Sequence, residues 1–429
     1  MAGTEVSRAR RAIAALLRLC VRVFYRRIEL VRVDRVPVEG PVIFAVNHPN
    51  GLVDPLFLIC FAPRPVSFLA KAPLFSYPII GRFVRAFESI PVYRKQDHTT
   101  GTNAETFARA RDVLRRGGSI AIFPEGTTHS DPQLRELKTG AARIALGANL
   151  DAMSVVPAGI YYTAKNVFRS SALVVFGEPI RVAAPVSSAD EPDHDLVEQL
   201  TSQIDAGLDA VTLQADSHAA LELIGAAEDI FTGIEDQPLG EEFDLRRRFI
   251  EGYQFLRRND PVRLQKLQSE ITRFEAELRQ IGVEVYDLTP RFKVVTLFRL
   301  IVMLPLAIAG AILNYATYRL VGSLAKKFAK GENEMVATMK ILGALACYPL
   351  TWIGAASLVA WRFGVVAAIA TLIAVPILGW IALRFFEDLD AVIGDARALF
   401  RRRDAERLRR QRQAIRGELI AVARELSSS

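Results

Sequence analysis

Between residue 28 and about residue 182, short apolar runs alternate with stretches whose apolar residues recur every three or four positions. The runs predict strands at 41–46, 66–70, 89–93, 119–123, 154–160 and 173–176, and the intervening stretches predict helices at 55–61, 74–86, 104–116 and 139–146. The third helix is punctuated at both ends, by Thr102 or Asn103 as N-cap and by Gly117-Gly118 as its stop. Strand and helix in alternation give an α/β domain, a mixed sheet flanked by helices, over 28–182.

The pattern changes on either side of that domain. Residues 1–27 interleave Arg8, Arg10, Arg11, Arg18, Arg22, Arg26 and Arg27 with Leu, Ile, Val and Phe, the pattern of a basic amphipathic helix. Such a helix lies along an anionic surface or packs on the body of the protein. Arg18 and Arg22 break its apolar stretch and no small-residue cleavage site follows, so a signal peptide is not expected. Residues 183–292 are polar and helical. After Asp260-Pro261, the residues Leu264, Leu267, Ile271, Phe274, Leu278 and Ile281 form a seam that stops at Gly282, which marks a helix packed on other helices.

Beyond Val294 the chain becomes strongly apolar. The stretches 342–361 and 365–383 carry no charge, and as helices of about 28 to 30 Å each is long enough to cross a bilayer. They predict a hairpin at 342–383 inside a membrane region 293–385. The run 294–320 contains Arg299, Pro305 and Asn314, and the expectation is that it bends near Pro305 and returns to the face it entered from. Lys326, Lys327, Lys330 and Lys340 after it, and the arginine-rich tail 386–429, mark the cytoplasmic side. In the tail Leu408, Ile415, Leu419, Val422 and Leu426 make one apolar stripe, for the membrane or for the protein.

Composition agrees with a membrane protein: 51% of the 429 residues are hydrophobic and the net charge is +7. A basic balance suits nucleic acid or anionic lipid. Because the arginines lie beside apolar segments and no nucleic-acid-binding signature is present, the bilayer is the expected partner and nucleic acid is not. Cys20, Cys60 and Cys347 show neither disulfide nor zinc spacing, so no metal site is expected.

The candidate chemistry gathers at strand ends, where open α/β sheets place their ligands. His48 follows the strand 41–46 in the turn Asn47-His48-Pro49-Asn50-Gly51, and Asp54 is close enough in sequence to hold its ring. After 119–123 comes Phe123-Pro124-Glu125-Gly126-Thr127, which offers a carboxylate, hydroxyls and backbone amides around a glycine. Arg94 after one strand and Lys71 after another are cations where a phosphate could sit. Singly, each of these reads better as a turn cap or a solvated side chain than as a functional group; four groups at matching strand ends read as a site.

These blocks resemble the phospholipid/glycerol acyltransferases, in family order over 48–159: Asn47-His48 to Asp54, Ile90-Pro91-Val92-Tyr93-Arg94, Phe123-Pro124-Glu125-Gly126-Thr127, and Val155-Val156-Pro157-Ala158-Gly159. One departure is that five residues, not four, separate His48 from Asp54. More loosely, Phe249 to Tyr253 and the 264–281 seam resemble the extension found in the glycerol-3-phosphate/dihydroxyacetone-phosphate branch.

The resemblance implies transfer of an acyl group from a thioester, on coenzyme A or on a carrier protein, to a hydroxyl of glycerol 3-phosphate or dihydroxyacetone phosphate, without a cofactor. Acylation of 1-acylglycerol 3-phosphate is the alternative acceptor reading, and a non-catalytic lipid-binding scaffold the alternative of another class. It further implies His48 as base, Asp54 as its orienting partner, Arg94 and Lys71 at the acceptor phosphate, Glu125, Gly126 and Thr127 at the glycerol hydroxyls, and Pro157 shaping the floor of the acyl site. The catalytic domain is expected on the cytoplasmic face.

Overall fold

The computed structural model describes residues 8–76, 78–93, 103–184, 192–233, 237–288 and 294–428. They form two compact units, one of 1–214 with 332–341 and one of 215–331 with 342–429.

The first unit contains α1 (Arg8–Phe24), β1 (Arg27–Val31), β2 (Val42–Val46), α2 (Val53–Phe61), β3 (Ser67–Lys71), α3 (Pro78–Ala86), β4 (Ile90–Val92), α4 (Asn103–Arg115), β5 (Ser119–Ile122), α5 (Gly140–Ala148), β6 (Met153–Tyr162), β7 (Ser171–Phe176), β8 (Ile180–Val182) and α6 (His194–Asp209). The sheet order is β1-β7-β6-β2-β5-β3-β4, with β8 also on β6. Strand β6 runs antiparallel to β7 and β8, and the remaining pairs are parallel, so the sheet is mixed. Every residue of β2 and β5 is buried, which explains why these strands read as unbroken apolar runs and not as alternating ones.

The six expected strands are present. The expected helix 74–86 divides into a 3-10 turn, Ala72–Ser76, and α3, which begins at Pro78, where a proline starts a helix readily but could not continue one. The first unit also extends past residue 182, because α6 lays Val197, Leu200, Ile204 and Leu208 on the sheet. A Cβ on Gly207 would stand 2.5 Å from Pro157, so the helix reaches the sheet at that proline without a side chain between them. Helix α1 is docked as well: Val21 and Phe24 are buried in the core, and Arg18 donates to the Cys60 carbonyl at 2.9 Å. Leu16 and Leu19 on the same helix remain exposed.

The second unit is helical: α7 (His218–Thr232), α8 (Leu239–Asn259), α9 (Pro261–Ile281), α10 (Val294–Phe328), the greater part of α11 (Asn333–Phe363), α12 (Val365–Phe400) and α13 (Arg402–Ser428). Helix α9 has the expected caps, with the Asp260 side chain accepting the Arg263 N–H at 3.0 Å and Gly282 left-handed at φ 68°. Its seam meets the stripe Leu408, Ile415, Leu419 and Val422 of α13 in one buried cluster, so the tail stripe packs on protein.

Helices α10, α11 and α12 are each long and apolar enough to cross a membrane. Helix α10 is continuous through Pro305, so the expected return near that residue does not occur. A helix satisfies its own backbone in an apolar medium on both sides of one missing N–H, whereas a turn there would expose several polar groups. Asn314 fastens α10 to its neighbours, donating to the Val375 carbonyl of α12 at 3.4 Å and accepting Trp352 Nε1–H of α11 at 3.2 Å.

Candidate active site

Strand β2 ends at Val46, and the Asn47 side chain carries the ladder one step further. Its amide donates to the Ile160 carbonyl at 3.1 Å and accepts the Ile160 N–H at 2.7 Å. His48 is thereby set on the lip of the sheet. The following turn closes by Val53 and Asp54 N–H groups donating to the Asn50 carbonyl, which starts α2. Asp54, in the first turn of α2 and fully buried, accepts His48 Nδ1–H at 2.8 Å and the Asn50 N–H at 2.7 Å on Oδ2, and the Tyr162 hydroxyl at 2.6 Å on Oδ1. The fifth intervening residue is absorbed in the turn and leaves the pair intact. Burial, with the Asp54 charge beside it, pushes the Tyr162 hydroxyl well above its usual range, so that it stays a donor.

The turn after β5 supports the same histidine. The Phe123 ring stacks on the His48 ring with centroids 4.0 Å apart. Gly126 closes the turn through a 3.0 Å bond to the Phe123 carbonyl, and its φ of +72° suits glycine. A Cβ there would also stand 2.5 Å from Lys138 Nζ. Glu125 is buried. Its Oε1 accepts the His48 N–H at 3.1 Å, and its Oε2 accepts the Arg135 N–H at 3.0 Å together with His129 Nε2–H. Because His129 Nδ1 accepts the Asp131 N–H at 3.1 Å, the imidazole proton belongs on Nε2. Glu125 therefore braces the two turns against each other. Asn47, His48, Glu125, His129, Leu134 and Leu213 are among the residues that wall a cleft at this edge.

Residues 27–161 match the acyltransferase family, and residues 226–428 match the glycerol-3-phosphate acyltransferase 2 C-terminal domain. The chain carries an acyltransferase domain. Glycerol-3-phosphate O-acyltransferase 2 of Saccharomyces cerevisiae is 29% identical over 58% of this chain and 37% of its own length. Glycerol-3-phosphate O-acyltransferase 1 of the same yeast is 25% identical over 77% of this chain and 58% of its own. The 1-acyl-sn-glycerol-3-phosphate acyltransferase of Borreliella burgdorferi is 31% identical over 33% of this chain and 56% of its own. The chain thus spans less than two thirds of the length of each of these relatives.

Within the acyltransferase domain the structure brings Asp54 and Glu125 each into direct contact with His48. Lys71 is exposed at the end of β3, on the same edge of the parallel strands β2, β5 and β3, two strands from His48. Thr127 is exposed beyond the Glu125 turn. Arg94 lies outside the described residues, just after Val92 of β4, whose partner across the ladder is Lys71. Pro157 is buried in β6 at the gap between the part that pairs β8 and the part that pairs β7, where no N–H is needed for the ladder.

Sequence reasoning missed His129, Tyr162 and Asn50 as partners in this network. His129 had a signal, since it stands four residues after Glu125. Tyr162 had none, because its role depends on β6 lying beside β2.

Proposed function

We propose that the protein transfers a fatty acyl group from a thioester to a hydroxyl of glycerol 3-phosphate or dihydroxyacetone phosphate at the cytoplasmic face of a membrane. The His48–Asp54 pair carries this reading. With Nδ1–H directed at Asp54, Nε2 is the nitrogen that takes the acceptor's proton as its oxygen attacks the thioester carbonyl. The new C–O bond forms, the C–S bond breaks, and the imidazolium returns its proton to the departing thiolate. Asp54 fixes the tautomer and stabilises the imidazolium, Arg94 and Lys71 neutralise the acceptor phosphate, and Thr127, in the turn that Gly126 closes, binds its hydroxyls. No cofactor enters these steps. Glu125 acts chiefly as a brace, given that both its oxygens already accept hydrogen bonds from protein donors.

The match of the C-terminal half to the glycerol-3-phosphate acyltransferase 2 C-terminal domain supports glycerol phosphate as acceptor. The likeness to the Borreliella burgdorferi relative supports 1-acylglycerol 3-phosphate instead, so a test must offer both. Purified protein given labelled acyl-coenzyme A or acyl carrier protein should acylate glycerol 3-phosphate or dihydroxyacetone phosphate, as resolved by mass spectrometry. Product from 1-acylglycerol 3-phosphate alone would reassign the acceptor. No product from any pair would leave the scaffold reading.

Lys340 Nζ donates to the Asn166 carbonyl at 2.7 Å inside the first unit, which supports keeping the start of α11 on the catalytic side. On that arrangement α11 with α12 forms a hairpin that returns the chain to the catalytic side. In a background without Cys20, Cys60 and Cys347, cysteines at Arg116 and Lys330 should react from the same side of a sealed vesicle; reaction from opposite sides refutes the topology.

A further inference from the structure

The turn between His48 and Asp54 is packed beneath the first turns of α11. A Cβ on Gly51 would stand 2.8 Å from the Glu334 carbonyl oxygen and 3.0 Å from Met335 Sδ, and Gly51 has φ +36°, so backbone meets backbone there. Ala337 and Ile341 of α11 are buried in the core that also holds Val53 and Phe57 of α2.

A polar chain runs through the same contact. Lys165, in the loop after β6, donates to the Pro49 carbonyl at 2.9 Å and to the Ser130 hydroxyl, and its ammonium lies 3.6 Å from the Glu334 carboxylate. Ser130 in turn donates to Glu334. The Lys165 carbonyl accepts the Tyr25 hydroxyl at 3.1 Å and the side-chain amide of fully buried Asn50 at 3.4 Å. Pro49 and Asn50 are the residues next after His48, and Ser130 next follows His129. One ammonium thus ties both turns of the site to the first turn of a helix that continues into the apolar segment 342–363.

We propose that Glu334 and Lys165 are positioning residues, which make the amino-terminal turn of α11 the element that sets the His48–Asp54 turn for acyl transfer. This rests on the acyltransferase reading. Burial pulls the Lys165 ammonium below its usual range while Glu334 and Asp54 pull it up, so the cation depends on those carboxylates. Loss of the Glu334 charge would loosen the lysine, and with it the carbonyl that follows His48. A displacement of about 1 Å at a base can cost on the order of 10² in rate.

The test uses the full chain in lipid nanodiscs, comparing wild type with Glu334→Gln, which retains an acceptor for Ser130, and with Lys165→Met. Two quantities are read: kcat and KM for glycerol 3-phosphate with an acyl-coenzyme A donor, and the rate at which diethyl pyrocarbonate modifies His48 relative to the exposed His194, by peptide mass spectrometry. Glu334→Gln should lower kcat about tenfold with KM within about twofold, and shift the His48 ratio at least about threefold. Lys165→Met should do more, and the double variant little beyond Lys165→Met, since both act through one carbonyl. Should Lys165→Met fail to fold, Glu334→Gln decides alone. An unchanged His48 ratio overturns the proposal, whether kcat falls or not. A shifted ratio in a protein whose wild type acylates no acceptor upholds the positioning and removes the acyltransferase reading.

Discussion

Two of the buried carboxylates among the described residues, Asp54 and Glu228, differ in what surrounds them. Asp54 is 0% exposed and Glu228 is 1% exposed. Asp54 receives donors from His48, Asn50 and Tyr162, and one of those donors is an imidazole at a cleft. Glu228 belongs to the helical bundle, where it shares Arg246 with Glu242 at 3.2 and 3.1 Å and is bonded by Thr232 and Gln237. Burial pushes Glu228 up to about 7, a value suited to a general base, with Arg246 pulling the other way. Yet Arg246, Thr232 and Gln237 do not change charge near neutral pH. A buried carboxylate becomes part of a reaction when its partner can move a proton and reach a substrate. One whose partners are fixed cations and amides is a structural tie that costs desolvation.

The largest effect should come from breaking the first cluster at its moving part. His48→Ala removes the base from a ring that is part-exposed, so the core is not emptied; kcat for acyl transfer should fall by about 10² to 10⁴ while thermal unfolding stays close to wild type. Turnover within a factor of two of wild type would end the comparison in favour of a base elsewhere. Next comes Asp54→Asn. Because the 2.8 Å pair is intact despite the five-residue spacing, the loss in kcat should approach that of His48→Ala. One amide N–H₂ would also face a donor among His48, Asn50 and Tyr162, at a stability cost of about 1 to 3 kcal/mol, read as a lower urea midpoint.

How far this contrast was legible beforehand follows from which features are local. The His48 and Glu125 turns, strands β2 to β7, and the caps and seam of α9 are written in consecutive residues, and the chain shows them directly. Strand β1 was not legible because Arg27 and Glu29 interrupt its apolar run, and it is a strand only by pairing with β7, 144 positions further along the chain. The helix α6 reads as polar until Val197, Leu200, Ile204 and Leu208 are counted at helical spacing. Least legible were contacts made by distant chain, such as Tyr162 on Asp54, Lys165 on Pro49 and the first turn of α11 over Gly51. The identity of a base can be read from a motif, whereas the shell that aims it comes from wherever the fold brings a side chain past.

A smaller effect separates binding of the acceptor from the chemistry of the first cluster. Arg94→Ala should raise KM for the phosphorylated acceptor about tenfold or more with kcat little changed, because a cation on a phosphate contributes to ground and transition states alike. A KM change confined to the acyl donor would move Arg94 to the thioester side of the site. Glu125→Gln should behave differently, lowering kcat with little change in acceptor KM, if the carboxylate braces the turns and does not hold the substrate.

The smallest effect is the one that tests the second cluster. Since the Glu228 carboxyl titrates near 7 in the folded protein and near the usual 4.5 when unfolded, the native state holds the extra proton between those values. Its stabilising contribution is therefore complete below about pH 4.5 and is lost as pH rises through about 7, each unit of difference being worth about 1.4 kcal/mol at most. Asp229, also raised by burial and opposed by the Tyr286 hydroxyl, adds in the same direction. Glu228→Gln keeps the shape and an acceptor for Thr232, and removes the titration. The variant's unfolding temperature should vary less than wild type's between pH 5 and 8, the difference amounting to a few degrees and appearing as higher stability of the variant at pH 8, with kcat and both KM values unchanged. Parallel pH curves for the two proteins would show that Arg246 holds Glu228 ionised throughout, and a drop in kcat would show that the bundle cluster takes part in turnover after all.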